Sequence, residues 1–216
     1  MATNPKPAPA KTSRRGREAY HHGDLRQALV DAALAIAAER GLEKVTVREA
    51  GIRAGVSSGA PFRHFPTKAA LMTAVAEEAM RRFRAEIGAE LAKTTDASPL
   101  ARFESLGRAY LTWALRHPTY FEVISARRLI DFDGSETLTR LNDDIRGMMN
   151  ALLAQATAAG EVRPADPEIE NLVGRALVYG LARMWTDGHF AQWGGEANAQ
   201  ALTERALDHY VSLMRR

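Results

Sequence analysis

Apolar residues recur at three- and four-residue spacing along nearly all of this 216-residue chain, a period that leaves room for little but α-helix. Leu25, Ala28, Leu29, Ala32, Ala33, Ile36 and Ala37 form one such stripe. Asp24 is placed to cap it, with Gln27 three residues on, and Gly41 follows its end. Behind a Thr67 cap, Leu71, Val75, Ala79, Phe83, Ile87 and Leu91 form a second. Ser98-Pro99 opens a further helix that stops at His117-Pro118, and a middle segment carries Phe121, Val123, Ile124, Leu129 and Ile130. Helices are then expected over residues 135–159, from Asp166-Pro167 to Asp187-Gly188, and over 198–216. No stretch alternates convincingly as a strand does, and no internal repeat is visible. The predicted fold is all-α, with about nine helices.

Composition and charge divide this helical chain. Residues 1–22 are rich in Pro, Ala and cations with little to bury, and read as a disordered basic arm. Residues 23–68 read as a small helical domain, 69–92 as a connecting helix and 93–216 as a larger helical body. Residues 1–68 hold twelve Lys/Arg against six Asp/Glu, whereas the total net charge is only +3, so the remainder is mildly acidic. Such an asymmetry fits a polyanion-binding end or a solubilising tail equally well. The absence of cysteine excludes disulfides, thiolate nucleophiles and Cys-ligated metal sites. No apolar run approaches the roughly 18 residues of a membrane span, and the basic start lacks a signal-peptide core, so a cytoplasmic protein with no membrane partner is expected.

Between Thr46 and Lys68 the helical punctuation tightens. Thr46 and Glu49 have the spacing of a capping box, and Gly55 ends that helix within about two turns. Ser57 or Ser58 is expected to open another short helix that runs to Phe65, with Pro61 in its first turn and Pro66 beyond its end. Two short helices joined by Ala54-Gly55-Val56-Ser57 have the size of a helix-turn-helix. Its second helix must be slim enough to enter a major groove about 12 Å wide. Ser57, Ser58, Gly59 and Ala60 supply a small-residue leading edge, and Arg63 and His64 add donors. Phe62 and Phe65 provide apolar anchors, while Lys68 and the start of the next helix suit a phosphate. By geometry alone, DNA binding and plain helix packing explain the pair equally well.

The segment VTVREAGIRAGVSSGAPFRHFPTKAAL resembles the DNA-binding segment of the tetracycline-repressor (TetR/AcrR) family. The likeness rests on Thr46, the Ala54-Gly55-Val56-Ser57 turn, Phe62, His64-Phe65, Pro66 and Lys68, and covers roughly residues 25–83. It implies that Thr46 and Arg48 position the DNA backbone, that Ser57, Ser58, Gly59, Ala60 and Arg63 face the groove, and that His64 and Lys68 meet phosphate. Phe62 replaces the family's usual tyrosine, and Ala60-Pro61 stand where Thr and Leu are frequent. Ala50-Gly51-Ile52 departs as well, with Gly51 lowering helix propensity by roughly 1 kcal/mol against alanine. Fewer hydroxyl contacts are therefore expected, leaving more of the binding to Arg63, His64 and Lys68. Lys6, Lys11, Arg14, Arg15 and Arg17 either extend along DNA or form a solvated tail.

The resemblance also implies a homodimer through the last two helices, bound to a double-stranded DNA operator and released by a small-molecule effector. The penultimate helix is apolar almost all round between Leu172 and Trp185, as burial on several sides requires. Phe103, Tyr110, Trp113, Tyr120 and Phe121 are candidates for a mostly apolar pocket, together with Met148, Met149, Tyr179 and Trp185; at helical spacing the same residues serve as ordinary core. Arg175 and Tyr179 stand where one subgroup carries Trp and His, so no ligand is carried over from it.

Catalysis has no candidate constellation. Asp131, Asp133, Gly134 and Glu136 lack the spacing of a calcium loop, and the six histidines include no i,i+4 pair to hold zinc. No metal, cofactor or enzymatic activity is expected. The leading expectation is thus a DNA-binding repressor on a palindromic operator. A sequence-tolerant architectural DNA binder and an all-helical enzyme are the alternatives.

Overall fold

Side-chain caps at helix starts and glycines at helix ends divide the chain as the computed structural model shows it, over residues 22–193 and 199–216. Ten α-helices occur among these described residues: α1 His22–Arg40, α2 Val47–Arg53, α3 Ala60–His64, α4 Lys68–Lys93, α5 Pro99–Arg116, α6 Pro118–Ser125, α7 Glu136–Ala158, α8 Pro167–Thr186, α9 Phe190–Trp193 and α10 Ala199–Met214. Short 3-10 turns occupy Leu42–Lys44 and Arg127–Leu129. The described residues hold no strand, only an isolated antiparallel bridge between Val162 and Arg215. The all-α expectation holds.

Oxygens of Thr46, Thr67, Ser98, Ser135 and Asp166 each accept a backbone N–H at a helix start, a device worth about 1 kcal/mol apiece. Gly160, at φ 71°, ends α7 in the left-handed conformation that other residues disfavour. Several boundaries differ from the sequence reading. His22 belongs to α1 rather than to the arm, and Asp24 lies inside that helix rather than at its cap. Pro118, read as a stop, is also the first residue of α6, where its missing N–H has no helical partner to lose. The five cations assigned to the arm lie outside the described residues, as does residue 198.

The core runs without interruption from the amino-terminal helices into the body. Leu29, Ile36, Val45 and Val47 close on Leu71, Met72 and Val75 at the start of α4. Further along α4, Phe83 and Ile87 pack with Trp113 and the rest of the body. Each fully buried Leu or Ile contributes about 1.5–3 kcal/mol, so α4 is held along most of its length. Its 26 residues span about 39 Å and join the two ends of the molecule. α5 lies inside the body against α4, α7, α8 and α10. Polar links reinforce the joint: Arg128 pairs with Glu43 at 2.8 Å, and the Asp131 N–H donates to Thr73 Oγ1 at 2.9 Å.

Candidate nucleic-acid interface and ligand cavity

α2 and α3 form a helix-turn-helix because each end has a local cause. The Glu49 N–H donates to Thr46 Oγ1 at 3.1 Å, which fixes the start of α2. The reciprocal half of the capping box is absent: the Glu49 carboxylate turns instead to Arg40 at 2.6 Å and ties α2 to α1. Arg53 adds a second tie, its guanidinium forking onto the Glu39 carboxylate. Gly55 then carries the chain out of α2 at φ 70°.

α3 starts later than the serines suggest. Pro61 has no N–H to return to the Ser57 carbonyl, so that carbonyl takes the Ala60 N–H at 3.0 Å in a tight turn and α-helix begins only at Ala60. Ser57, Ser58 and Gly59 therefore sit in the exposed turn ahead of α3, and Gly59 provides no side-chain cap. Pro61 is buried against α2, where a Cβ built on Gly51 would lie 2.3 Å from its Cγ. The two unusual residues are thus complementary: the missing methyl of Gly51 makes room for the proline ring. Ala50, fully buried, lets α2 approach the core closely.

The DNA-facing candidates divide by environment. Thr46, Arg48, Ser57, Ser58, Gly59 and Arg63 are exposed, and neither Arg48 nor Arg63 has an acidic partner among the described residues. Ala60 and His64 are half-buried, and His64 already interacts with a neighbouring group. Phe65 is buried beneath the Arg26 guanidinium, whereas Phe62 is 47% exposed and lies on the open side of α3. Lys68 is engaged within the protein: its Nζ donates to the carbonyls of Leu42 and Glu43, each at 3.0 Å. It thereby locks the turn before α2 to the start of α4.

A cavity of about 350 Å³ lies in the body, bounded by α4, α5, the end of α6, α7, α8 and α10 with the 127–132 segment. Of the aromatic and Met candidates, Phe103, Tyr110, Met149 and Tyr179 line it. The others do not. Trp113 is turned into the core with its ring centroid 4.6 Å from that of Phe83, and Phe121 is wholly buried beside Tyr110. Tyr120 lies under Arg82, Met148 packs partly buried against the core, and Trp185 stands beside Phe190. Sequence reasoning missed Ile87, Leu106, Phe132, Asn142, Ile145 and Tyr210, and it treated Arg175 only as a replacement. Arg175, within the apolar run from Leu172 to Leu181 of α8, was the available signal. Burial pushes the Tyr110 phenol above its ordinary pKa, and the nearby Arg175 guanidinium opposes that rise.

An exposed two-helix reading head, joined by one long helix to a body with a partly open, mostly apolar cavity, defines a ligand-responsive DNA-binding regulator. Residues 29–75 match the family of bacterial regulatory proteins named for tetR, and residues 103–210 match the tetracyclin repressor-like C-terminal domain. The chain belongs to the tetR family. It is 30% identical over 186 residues to the HTH-type transcriptional repressor KstR2 of Mycobacterium tuberculosis, covering 83% of this chain and 87% of that protein. The KstR2 repressor of Mycolicibacterium smegmatis is 28% identical over 189 residues, covering 84% and 86%. A Rhodococcus sp. RHA1 protein of unknown function has the same fold, with a TM-score of 0.77 at 24% identity over 93% of this chain and all of that one. Among the described residues, no helix is long and apolar enough to cross a membrane.

Proposed function

We propose that this regulator is a homodimeric repressor that acts in the cytoplasm. It binds a palindromic operator without ligand and leaves it when a small, mostly apolar molecule fills the body cavity. The observation that carries the reading is the contact of both ends of the molecule with α4. Its first turn follows the recognition helix, and Met80, Phe83 and Ile87 farther along it border the cavity. A guest that displaces these side chains changes the packing of a rod that also sets the position of α3. For release, the guest must bind the non-operator conformation more tightly than the operator-bound one.

Two identical surfaces are needed for a palindrome. Ile169, Leu172 and Val173 are exposed on α8, with Leu213 on α10, an apolar patch that suits a second copy of the chain. In the head, Arg63 and the Ser57–Ala60 edge are assigned to base edges, and Thr46, Arg48 and His64 to the backbone. Lys68 acts first by holding the head together, with phosphate contact as its second role. Selection of bound sites from random duplex tests the proposal, and the expected product is a palindrome. Arg63→Ala should then change the preferred bases, whereas Lys68→Ala should weaken every sequence alike. Recovery of no palindrome would overturn the operator reading.

A further inference from the structure

Two arginines, Arg127 and Arg175, border the body cavity, and among its described lining residues there is no Asp or Glu. The Arg175 guanidinium carbon lies 4.8 Å from the ring centre of Tyr110 and 5.4 Å from that of Tyr179. Arg127 lies 3.3 Å over the Phe132 ring. Both side chains are exposed at the rim of the cavity, and neither guanidinium has a carboxylate in ion-pair range among the described residues. Nearby Arg146, by contrast, is paired with Asp143 at 3.0 Å.

The Tyr110 hydroxyl supplies an independent observation. Tyr110 is 4% exposed, lines the cavity, and its hydroxyl hydrogen has no acceptor, the Arg175 guanidinium beside it being a donor only. Burial in that state is unfavourable, and the hydroxyl is a donor held ready for an acceptor. Tyr210, on the same cavity, is satisfied by the Glu170 carbonyl at 2.8 Å. Arg175 also borders a second cavity of about 740 Å³ between α7 and α8, and so stands where the two spaces meet.

We infer that the body cavity takes an amphipathic anion, with an apolar body against Ile87, Phe103 and Met149 and a carboxylate at the Tyr110 hydroxyl and the Arg175 guanidinium. This rests on the reading of the cavity as the effector site. A carboxylate offers the lone pair that the buried Tyr110 hydroxyl lacks, and the exposed Arg175 guanidinium at the rim grips it in a two-point geometry. A neutral alcohol of the same length can accept one hydrogen bond from Tyr110 but brings no charge and no second oxygen to Arg175, and a cation meets two like charges. A longer guest passes Arg175 into the α7/α8 groove.

Calorimetric titration of the full chain with decanoate, 1-decanol and decylamine below their aggregation concentrations tests the inference, since these probes differ only in the head group. Decanoate should bind roughly tenfold or more tightly than decanol, and decylamine most weakly. Tyr110→Phe and Arg175→Gln should each lower decanoate binding toward that of decanol while changing decanol binding far less, which also shows that the variants are folded. Equal binding of decanoate and decanol to the wild type overturns the anion site but leaves an apolar effector cavity. Parallel losses for both probes in the variants assign these side chains to packing and overturn it too. Binding of none of the probes overturns the inference together with the cavity reading beneath it.

Discussion

A methyl group on Gly51 would stand 2.3 Å from Cγ of Pro61, and a proline ring cannot swing aside as a long side chain can. Gly51→Ala gains about 1 kcal/mol of helix propensity, while overpacking of a tight site costs about 1–3 kcal/mol. The overlap is severe enough that the second effect should win. The expected result is a lower urea midpoint, recovered at least in part by Gly51→Ala with Pro61→Ala. If Gly51→Ala alone is stabilising, the two residues are not complementary. Tyr110 gives the opposite sign. Tyr110→Phe removes a buried, unpartnered oxygen and should stabilise the protein by on the order of 1 kcal/mol at neutral pH. Burial also raises the phenol of Tyr110 above its unfolded value, as it does for Tyr120 and Tyr210. The stability linked to such a group is fully present below about pH 10 and is lost as pH rises through the folded value. Tyr110→Phe should therefore flatten the alkaline fall in stability, as read from chemical melts at stepped pH. An unchanged alkaline slope would remove Tyr110 from that fall.

At the scale of elements, the head is held by short-range devices. Thr46→Ala leaves the Glu49 N–H without its side-chain acceptor and should cost about 1 kcal/mol. Hydrogen exchange should show the loss in α2 and α3 before the body, because Arg40–Glu49 and Arg53–Glu39 are exposed pairs that contribute little. Equal loss of protection throughout would mean that head and body unfold as one. The same devices explain what could be read from the sequence. Thr46, Thr67, Ser98, Ser135 and Asp166 announce their helices because each cap is a local event. Ser57 and Ser58 look like caps too, yet the missing N–H of Pro61 moves the start of α3 to Ala60. Cavity lining was harder to read, since it depends on the rotation of each helix in the packed body. Tyr110 and Trp113 are one turn apart on α5, but the first borders the cavity and the second turns onto Phe83.

The exposed apolar stripe of α8 matters only for the whole molecule. Ile169 and Val173 are one helical turn apart, 53% and 45% exposed, on an element whose Gly174, Val178 and Ala182 already face its own body. In a twofold dimer one stripe meets its own copy, so a substitution there enters the interface twice. Ile169→Glu with Val173→Glu would bring four carboxylates together in a patch sealed from water, with no cation introduced to pair them. Burial of unpaired charge costs several kcal/mol per ion, more than a dimer of ordinary affinity can absorb. The same side chains are exposed in the single chain, so its fold should survive. Sedimentation should therefore report a species near 23.7 kDa with unchanged helical circular dichroism, against twice that mass for the wild type. Each freed head would keep Arg63 and its small-residue edge but hold only one half-site, and affinity for a selected palindrome should fall by orders of magnitude. A variant that still sediments as a dimer would place the interface on another face. A monomer that binds the palindrome as tightly as before would show that the two heads do not act together.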